Sequence, residues 1–274
     1  MNDLTNDSVI HIRKENCEYL QFRKLLEYDD FLKHAYGLKP ANYQVKCDDD
    51  IDNATNEYKK LCNNINLDYN NLIRPNQTHT DVVKSVIDYE NGISFDAEKY
   101  KDTDGLITNK TGITLATKNA DCILLLFFDP VKRVIANVHS GWRGTFKKIA
   151  LNTVDKFINE YGSNPEDIIC CICPSIRKCH FEVEKDVKDL CEKAFSYTNR
   201  IDEFIEYAGK KDGVDKWMID TVLINKIMLQ DAGLLPENIV DSGICSVCNC
   251  EYVHSYRVEK KGVGLSSAVI GILP

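Results

Sequence analysis

The 274-residue chain has no excess of positive charge: 34 Lys and Arg stand against 42 Asp and Glu, a formal net charge of −8. Nucleic-acid-binding surfaces are usually basic, so this balance argues against a polyanion-binding protein. A small anionic co-substrate, which needs only a local positive pocket, stays open. Long hydrophobic runs are missing too. The longest uninterrupted apolar stretch is CILLLFF at 122–128, far short of the roughly 20 residues a membrane helix needs. The start of the sequence, MNDLTNDSVIHIRKENCEYL, has no basic region followed by an apolar core, so no signal peptide is visible. The expectation is a cytoplasmic protein without a membrane partner. There is no internal repeat, low-complexity tract or Pro/Gly/Ser-rich linker, and one domain spanning 1–274 is expected. No GxGxxG or Walker-type loop occurs, which argues against dinucleotide-binding and P-loop folds.

Cysteine, by contrast, is abundant, with 12 residues. Without a secretory signal these read as reduced thiols rather than disulfides. Most are expected to be small buried hydrophobes, although some could bind metal.

Hydrophobic patterning gives an α/β protein with mixed, hairpin-containing sheets. GITLAT (112–117), CILLLFFD (122–129) and RVIANVH (133–139) are short, apolar and rich in branched residues, as buried strands should be. Asp129-Pro130 marks a tight turn between the last two and suggests a hairpin. After Gly144 the period changes, and Phe146, Ile149, Ala150, Val154, Phe157, Ile158 and Tyr161 line one helix face, with Gly162 as a C-terminal cap. IICCIC (168–173), WMID, IVDSGIC and GLSSAVIGIL read as further strands. VEKDVKDLCEKAF and TVLINKIMLQDAG read as helices, the second capped by Asp220 or Thr221. The polar segment 47–71 carries Ile51, Ala54, Tyr58, Leu61 and Cys62 at helical spacing and reads as an amphipathic surface helix.

Three short segments place a metal-capable side chain beside polar or turn-forming residues. NQTHTDVV (76–83) offers Gln77 and His79 before an apolar strand; KNADCILLL (118–126) puts Asp121 and Cys122 at the start of a strand; VHSGWRG (138–144) puts His139 at the end of one. An antiparallel pairing of 122–129 with 133–139 sets Cys122 beside His139. Nothing in the sequence itself brings His79 to them. Two His and one Cys make a proper zinc set with a fourth position left for water or substrate. Each residue also has a plainer use, His139 as a structural hydrogen-bonder and Cys122 as core filler, while Gly141 and Gly144 could serve only the turn.

Taken together, NQTHTDVV, DGLIT, KNADCILLLFFDP, HSGWRG, CPSIRKCHFEV and HSYR resemble the laccase-domain family, from about residue 31 to the C-terminus. Its members have been labelled multicopper polyphenol oxidases and are more recently assigned as purine nucleoside phosphorylases with adenosine deaminase activity. The resemblance implies a single α/β domain whose β-sheets pack together with helices outside, similar to the cysteine-hydrolase toxins in placing a Cys and a His together. It implies His79, Cys122 and His139 as ligands of zinc, or alternatively copper, with Asp121 beside the metal. It implies catalysis by Asp121, Cys122 and His139, and a substrate pocket drawing on Gln77, Asn42, Arg143 and Arg257. The Arg143 guanidinium suits phosphate oxygens. The expected substrates are a purine nucleoside and inorganic phosphate. Deamination at purine C6 is a reaction that zinc performs in other deaminases.

The sequence departs from the family where Leu38, Val258 and Leu265 stand in place of expected arginines or a Gly-Arg pair, which weakens the case for phosphate. CCICP with Cys179-His180, and CSVCNC at 245–250, could form a second zinc site. The family keeps cysteines at the positions of Cys179 and Cys245 without one, so none is expected. Three other functions stay open. A multicopper oxidase needs about ten histidines as a family pattern, against six here. A cysteine hydrolase would use Cys122 as nucleophile and His139 as base, including an amide-hydrolase role in cell-wall precursor editing. The last is a non-catalytic zinc-binding protein.

Overall fold

The apolar run at 122–128 becomes the strand Ile123–Asp129, buried at every position. Ile123, Leu125 and Phe127 enter one core and Leu124, Leu126 and Phe128 another, the alternation of a strand with two covered faces. Burying each of these side chains contributes roughly 1.5–3 kcal/mol. The computed structural model describes residues 3–45, 48–88, 94–95 and 98–274.

Among the described residues, the strand lies third in a six-stranded mixed sheet: Ile239–Asp241, Ile169–Ile172, Ile123–Asp129, Val134–Ser140, Gly105–Thr108, Val83–Ser85. One face of this sheet packs on a seven-stranded sheet ordered Val9–Lys14, Cys17–Phe22, Leu32–Gly37, Ser266–Ile272, Thr114–Asn119, Leu72–Arg74, Ser94–Phe95. Leu124, Leu126 and Ile135 there meet Leu115, Ala268 and Ile270. The far face of the larger sheet is covered by the helix Asp48–Asn64 through Tyr58, Leu61 and Cys62. The other face of the smaller sheet carries helices Ile149–Tyr161 and Thr221–Asp231, with Val154, Phe157, Ile224 and Met228 in the core. A three-stranded antiparallel sheet, Glu182–Val183, Val214–Ile219 and Ile205–Lys211, completes the fold. This is the mixed α/β architecture expected, two packed sheets with helices outside.

The hairpin forms in the expected register, with His139 opposite Leu124 and Ser140 opposite Ile123. Asp220 caps its helix by accepting the Leu223 N–H at 2.9 Å, and Gly162 ends the helix before it in a left-handed conformation. Three differences stand out. The helix after Gly144 is broken: Trp142–Phe146 ends before Lys148, whose φ of 67° interrupts the ladder ahead of Ile149–Tyr161. Ile51 is exposed, so the inner face of the 48–64 helix starts at Ala54; Cys47, with which the polar segment opened, lies outside the described residues. The strands Val9–Lys14, Cys17–Phe22 and Leu32–Gly37 extend the larger sheet from a part of the chain where no strand was expected. No described helix is long and apolar enough to cross a membrane.

Candidate metal centre

Thr114–Asn119 belongs to the larger sheet and Ile123–Asp129 to the smaller, so Ala120-Asp121-Cys122 is the crossing between the layers. The crossing is tight: Asp121 takes a positive φ of 82°, a conformation that Asp tolerates better than most residues. Asn119 secures it by donating to the carbonyls of Cys122 at 2.5 Å and Pro174 at 3.0 Å. Cys122 therefore stands at the mouth of the sheet sandwich, beside the end of the strand that carries His139.

His79 does arrive there. Its Nε2 lies 3.8 Å from Cys122 Sγ, and its ring meets that of His139 edge to face with centroids 5.0 Å apart. One ligand atom from each of His79, Cys122 and His139 lies within 4.8 Å of the others. Tetrahedral zinc with its usual bond lengths needs S···N separations of about 3.6 Å. The donor set and its spacing fit a zinc-type ion held by three protein ligands with one position open.

Gly141 explains part of the SGWRG turn. Its φ of −61° and ψ of 162° suit any residue, so conformational freedom is not the reason for glycine. A Cβ there would stand 2.8 Å from the His79 ring, 3.2 Å from Cys122 Sγ and 3.2 Å from the His139 ring. Glycine leaves the space in which the three ligands converge. At Gly144 a Cβ would meet the Thr80 carbonyl oxygen at 2.8 Å, so the short helix packs directly on the loop carrying His79.

The residue that organises the centre is Asp104, the first of the DGLIT motif and not singled out from sequence. Fully buried, it accepts backbone N–H bonds from Thr78 at 3.0 Å, His79 at 2.9 Å and Thr80 at 2.9 Å. Its Oδ2 also lies 3.1 Å from His139 Nδ1. Burial alone would raise its carboxyl pKa, but the His139 bond and these N–H donors hold it below the usual range. The His79 turn has φ 65°, and the Asp104 carboxylate gathers three successive amides of that turn.

Burial opposes ionisation of Cys122, yet the positive charge of His139 and bonds from both histidines bring its pKa down to about 6. Burial likewise opposes charging His139, but the Cys122 thiolate and Asp104 lift it to about 9. Both shifts run toward a thiolate beside a charged imidazole, and so toward the ionised sulfur that a metal requires.

Asp121, expected beside the metal, directs its carboxylate elsewhere. Its Oδ1 accepts from the hydroxyls of Ser246 at 2.6 Å and Ser255 at 2.7 Å, and its Oδ2 from the Arg257 N–H at 2.6 Å. The carboxylate thereby ties the two C-terminal turns to the crossing.

The centre opens into a cavity of about 640 Å³. Lys118, Arg257, Lys260 and Lys261 line it, and among the described residues Asp121 is the one carboxylate that does. Trp142, Phe181 and Tyr256 supply aromatic walls. Gln77 and Arg257 reach the cavity as expected. The Gln77 amide pairs with the Lys118 backbone at 2.8 and 2.9 Å, and the Arg257 guanidinium donates to the carbonyls of His180 and Glu182. Arg143 and Asn42 are not on its wall. Arg143 is exposed, its guanidinium 4.1 Å from the Trp142 ring centre. Asn42 accepts the N–H groups of Gln44 and Leu265 and latches two loops together. Leu38 is wholly buried in the apolar core.

The family described as multi-copper polyphenol oxidoreductase laccase matches residues 33–273, and the chain belongs to it. The purine nucleoside phosphorylase YlmD of Bacillus subtilis is 31% identical over 230 residues, covering 82% of this chain and 79% of that one. The adenosine deaminase RL5, from an unknown prokaryotic organism, is 28% identical over 214 residues, covering 77% and 78%. The solved structure of Bacillus licheniformis hypothetical protein YfiH superposes with a TM-score of 0.82 at 24% identity, covering 96% of this chain and 99% of that one.

Proposed function

We propose that the protein is a zinc-dependent purine nucleoside phosphorylase, converting adenosine or inosine and phosphate to free base and ribose 1-phosphate, with adenosine deaminase activity at the same centre. The observation that carries this reading is a cavity lined by four cations in a protein of net charge −8, with the His79–Cys122–His139 set on its wall. Such a pocket selects a small anion, while its aromatic walls suit a purine. The family relatives named for these two activities support the choice.

His79, Cys122 and His139 would hold the zinc, which when bound supplies a Lewis acid to a substrate oxygen or to water. Asp104 keeps the His139 Nδ1 proton and so fixes the tautomer that turns Nε2 toward the centre. Lys118, Lys260 and Lys261 offer charge to phosphate, and Trp142, Phe181 and Tyr256 offer surfaces for the base. The same reading places the protein in solution in the cytoplasm, as one domain.

A second reading draws on the order Cys122–His139–Asp104. That is a nucleophile, a base and an orienting carboxylate, as a cysteine hydrolase requires. It leaves His79 without a part. The deciding experiment incubates metal-analysed protein with adenosine or inosine, with and without phosphate, and identifies the products. Phosphate-dependent formation of ribose 1-phosphate is expected. Free ribose formed without phosphate would favour the hydrolase, and absence of any nucleoside turnover would overturn the proposal.

A further inference from the structure

The turn containing Cys179 and His180 lies against the turn that begins at Cys245, and four potential ligands meet there. His180 Nδ1 is 3.2 Å from Cys179 Sγ and 3.6 Å from both Cys245 Sγ and Cys248 Sγ. Cys179 and Cys245 sulfurs are 3.7 Å apart, and all four donor atoms fall within 4.8 Å of one another. A tetrahedral zinc with three thiolates and one imidazole, at ordinary bond lengths, requires S···S near about 3.8 Å and S···N near about 3.6 Å. The His180 separations from Cys245 and Cys248 and the Cys179–Cys245 sulfur pair match these values, and the Cys179–His180 pair is tighter at 3.2 Å. A disulfide, in contrast, would need two sulfurs at about 2.05 Å and would leave the third thiol and the imidazole unused.

The backbone is arranged for the same purpose. Cys245 and Cys248 have CxxC spacing, and the N–H groups of Val247 and Cys248 point at the Cys245 sulfur. The two turns are latched by Ser175 N–H to Ile244 O at 3.3 Å and Ser246 N–H to Ser175 O at 3.0 Å. None of the four side chains lines the nucleoside-sized cavity.

We propose that Cys179, His180, Cys245 and Cys248 form a second, closed zinc site of structural type, separate from the centre at His79, Cys122 and His139. Three thiolates and an imidazole select zinc over harder divalent ions, and four protein ligands leave no position for substrate. The resemblance to the family implied no such ion; the positions of these four side chains point to one. Its consequence reaches the cavity. Ser246, between the two CxxC cysteines, donates to Asp121 Oδ1 at 2.6 Å. Arg257, on the cavity wall, donates to the His180 carbonyl at 3.0 Å and through its N–H to Asp121. An ion clamping the two turns therefore holds Ser246 and Arg257 against the crossing that presents Cys122. This makes the four ligands positioning residues for the cavity wall.

The test needs no assumption about the reaction. Full-length protein carrying His79→Ala and Cys122→Ser, which lacks two ligands of the first centre, is titrated with zinc and its metal content measured. About one equivalent per chain is expected to stay bound, from the four-ligand stoichiometry of a closed site. In the wild-type protein, zinc should protect Cys179, Cys245 and Cys248 together from alkylation, as read by peptide mapping. Cobalt in place of zinc should give the intense charge-transfer absorption of several thiolates, which Cys248→Ser diminishes. The wild-type mapping needs no variant to fold. A Cys179–Cys245 disulfide in the purified protein, or three thiols equally reactive with and without zinc, would overturn the proposal. So would a His79→Ala, Cys122→Ser protein that retains no metal.

Discussion

Asp104 Oδ2 lies 3.1 Å from His139 Nδ1 and accepts the His79 backbone N–H at 2.9 Å, so one carboxylate oxygen orients two candidate ligands from separate segments. Replacing it with asparagine keeps the shape but removes the charge and offers an amide where one acceptor is needed. Outer-shell partners of metal-bound histidine are worth roughly 10–100-fold in metal affinity. Asp104→Asn is expected to weaken zinc binding by that factor, measured by competition with a chelator. Because the carboxylate also gathers the 78–80 amides, a lower melting temperature should accompany the loss. Wild-type zinc affinity in the variant would show that Asp104 serves only the loop.

Gly141→Ala tests the close approach of the turn to the centre. The added Cβ, 2.8 Å from the His79 ring, must push that ring or the short helix aside. The backbone angles themselves suit alanine, so folding should survive. Misplacing a reacting group by about 1 Å can cost on the order of 10²-fold in rate. A loss of that order in kcat/KM, together with reduced zinc content, is expected. Circular dichroism unchanged from wild type would place the defect at the centre rather than in the fold.

Much of this architecture was legible in the sequence because period and burial agree. The seven-residue apolar strand, the hairpin that brings Cys122 to His139 and the capped helix at Asp220 follow from local rules. His79 was beyond local rules, since its approach depends on a carboxylate 25 residues away in the chain. Asp104 itself looks like an ordinary strand-leading turn residue, and its Asp-Gly pair gives no hint that five hydrogen-bonding groups converge on it. Arg143 has the charge and neighbours of a pocket residue, but on the short helix its guanidinium stacks on the Trp142 ring and is not on the cavity wall. The cavity's lysines carry no signal in the sequence, because isolated lysines usually mark solvated surface. Four cysteine and histidine side chains with familiar spacing came together across 66 residues of sequence, where spacing alone could not distinguish ligands from core filler.

The cavity lysines bear on the phosphate site of the proposed phosphorylase. Lys260 and Lys261 both line the cavity, where arginines of the family pattern are missing nearby. The double substitution Lys260→Ala, Lys261→Ala should raise the KM for phosphate by about 10-fold or more, as expected for losing a charge-assisted contact or two. The KM for inosine at saturating phosphate should change much less. An equal rise for both substrates would mean that these side chains shape the cavity rather than bind the anion.

Cys122 separates ligand from nucleophile. With zinc in place its sulfur should resist iodoacetamide, and removal of the metal by a chelator should expose it. His139 and His79 bring the thiol pKa of the metal-free protein down to about 6. The thiolate therefore predominates at pH 7, and the alkylation rate should hold there and fall about 10-fold per pH unit well below pH 6. Cys62 and Cys191, pushed up to about 12 by burial, should stay unreactive across that range, and peptide mapping assigns each product. Cys122→Ser is expected to lose metal and activity together. His79→Ala should do the same, although a hydrolase built on Cys122, His139 and Asp104 would have no use for His79. An active, metal-free protein whose Cys122 is trapped as an acyl or glycosyl adduct would reverse the assignment and make the thiolate the attacking group.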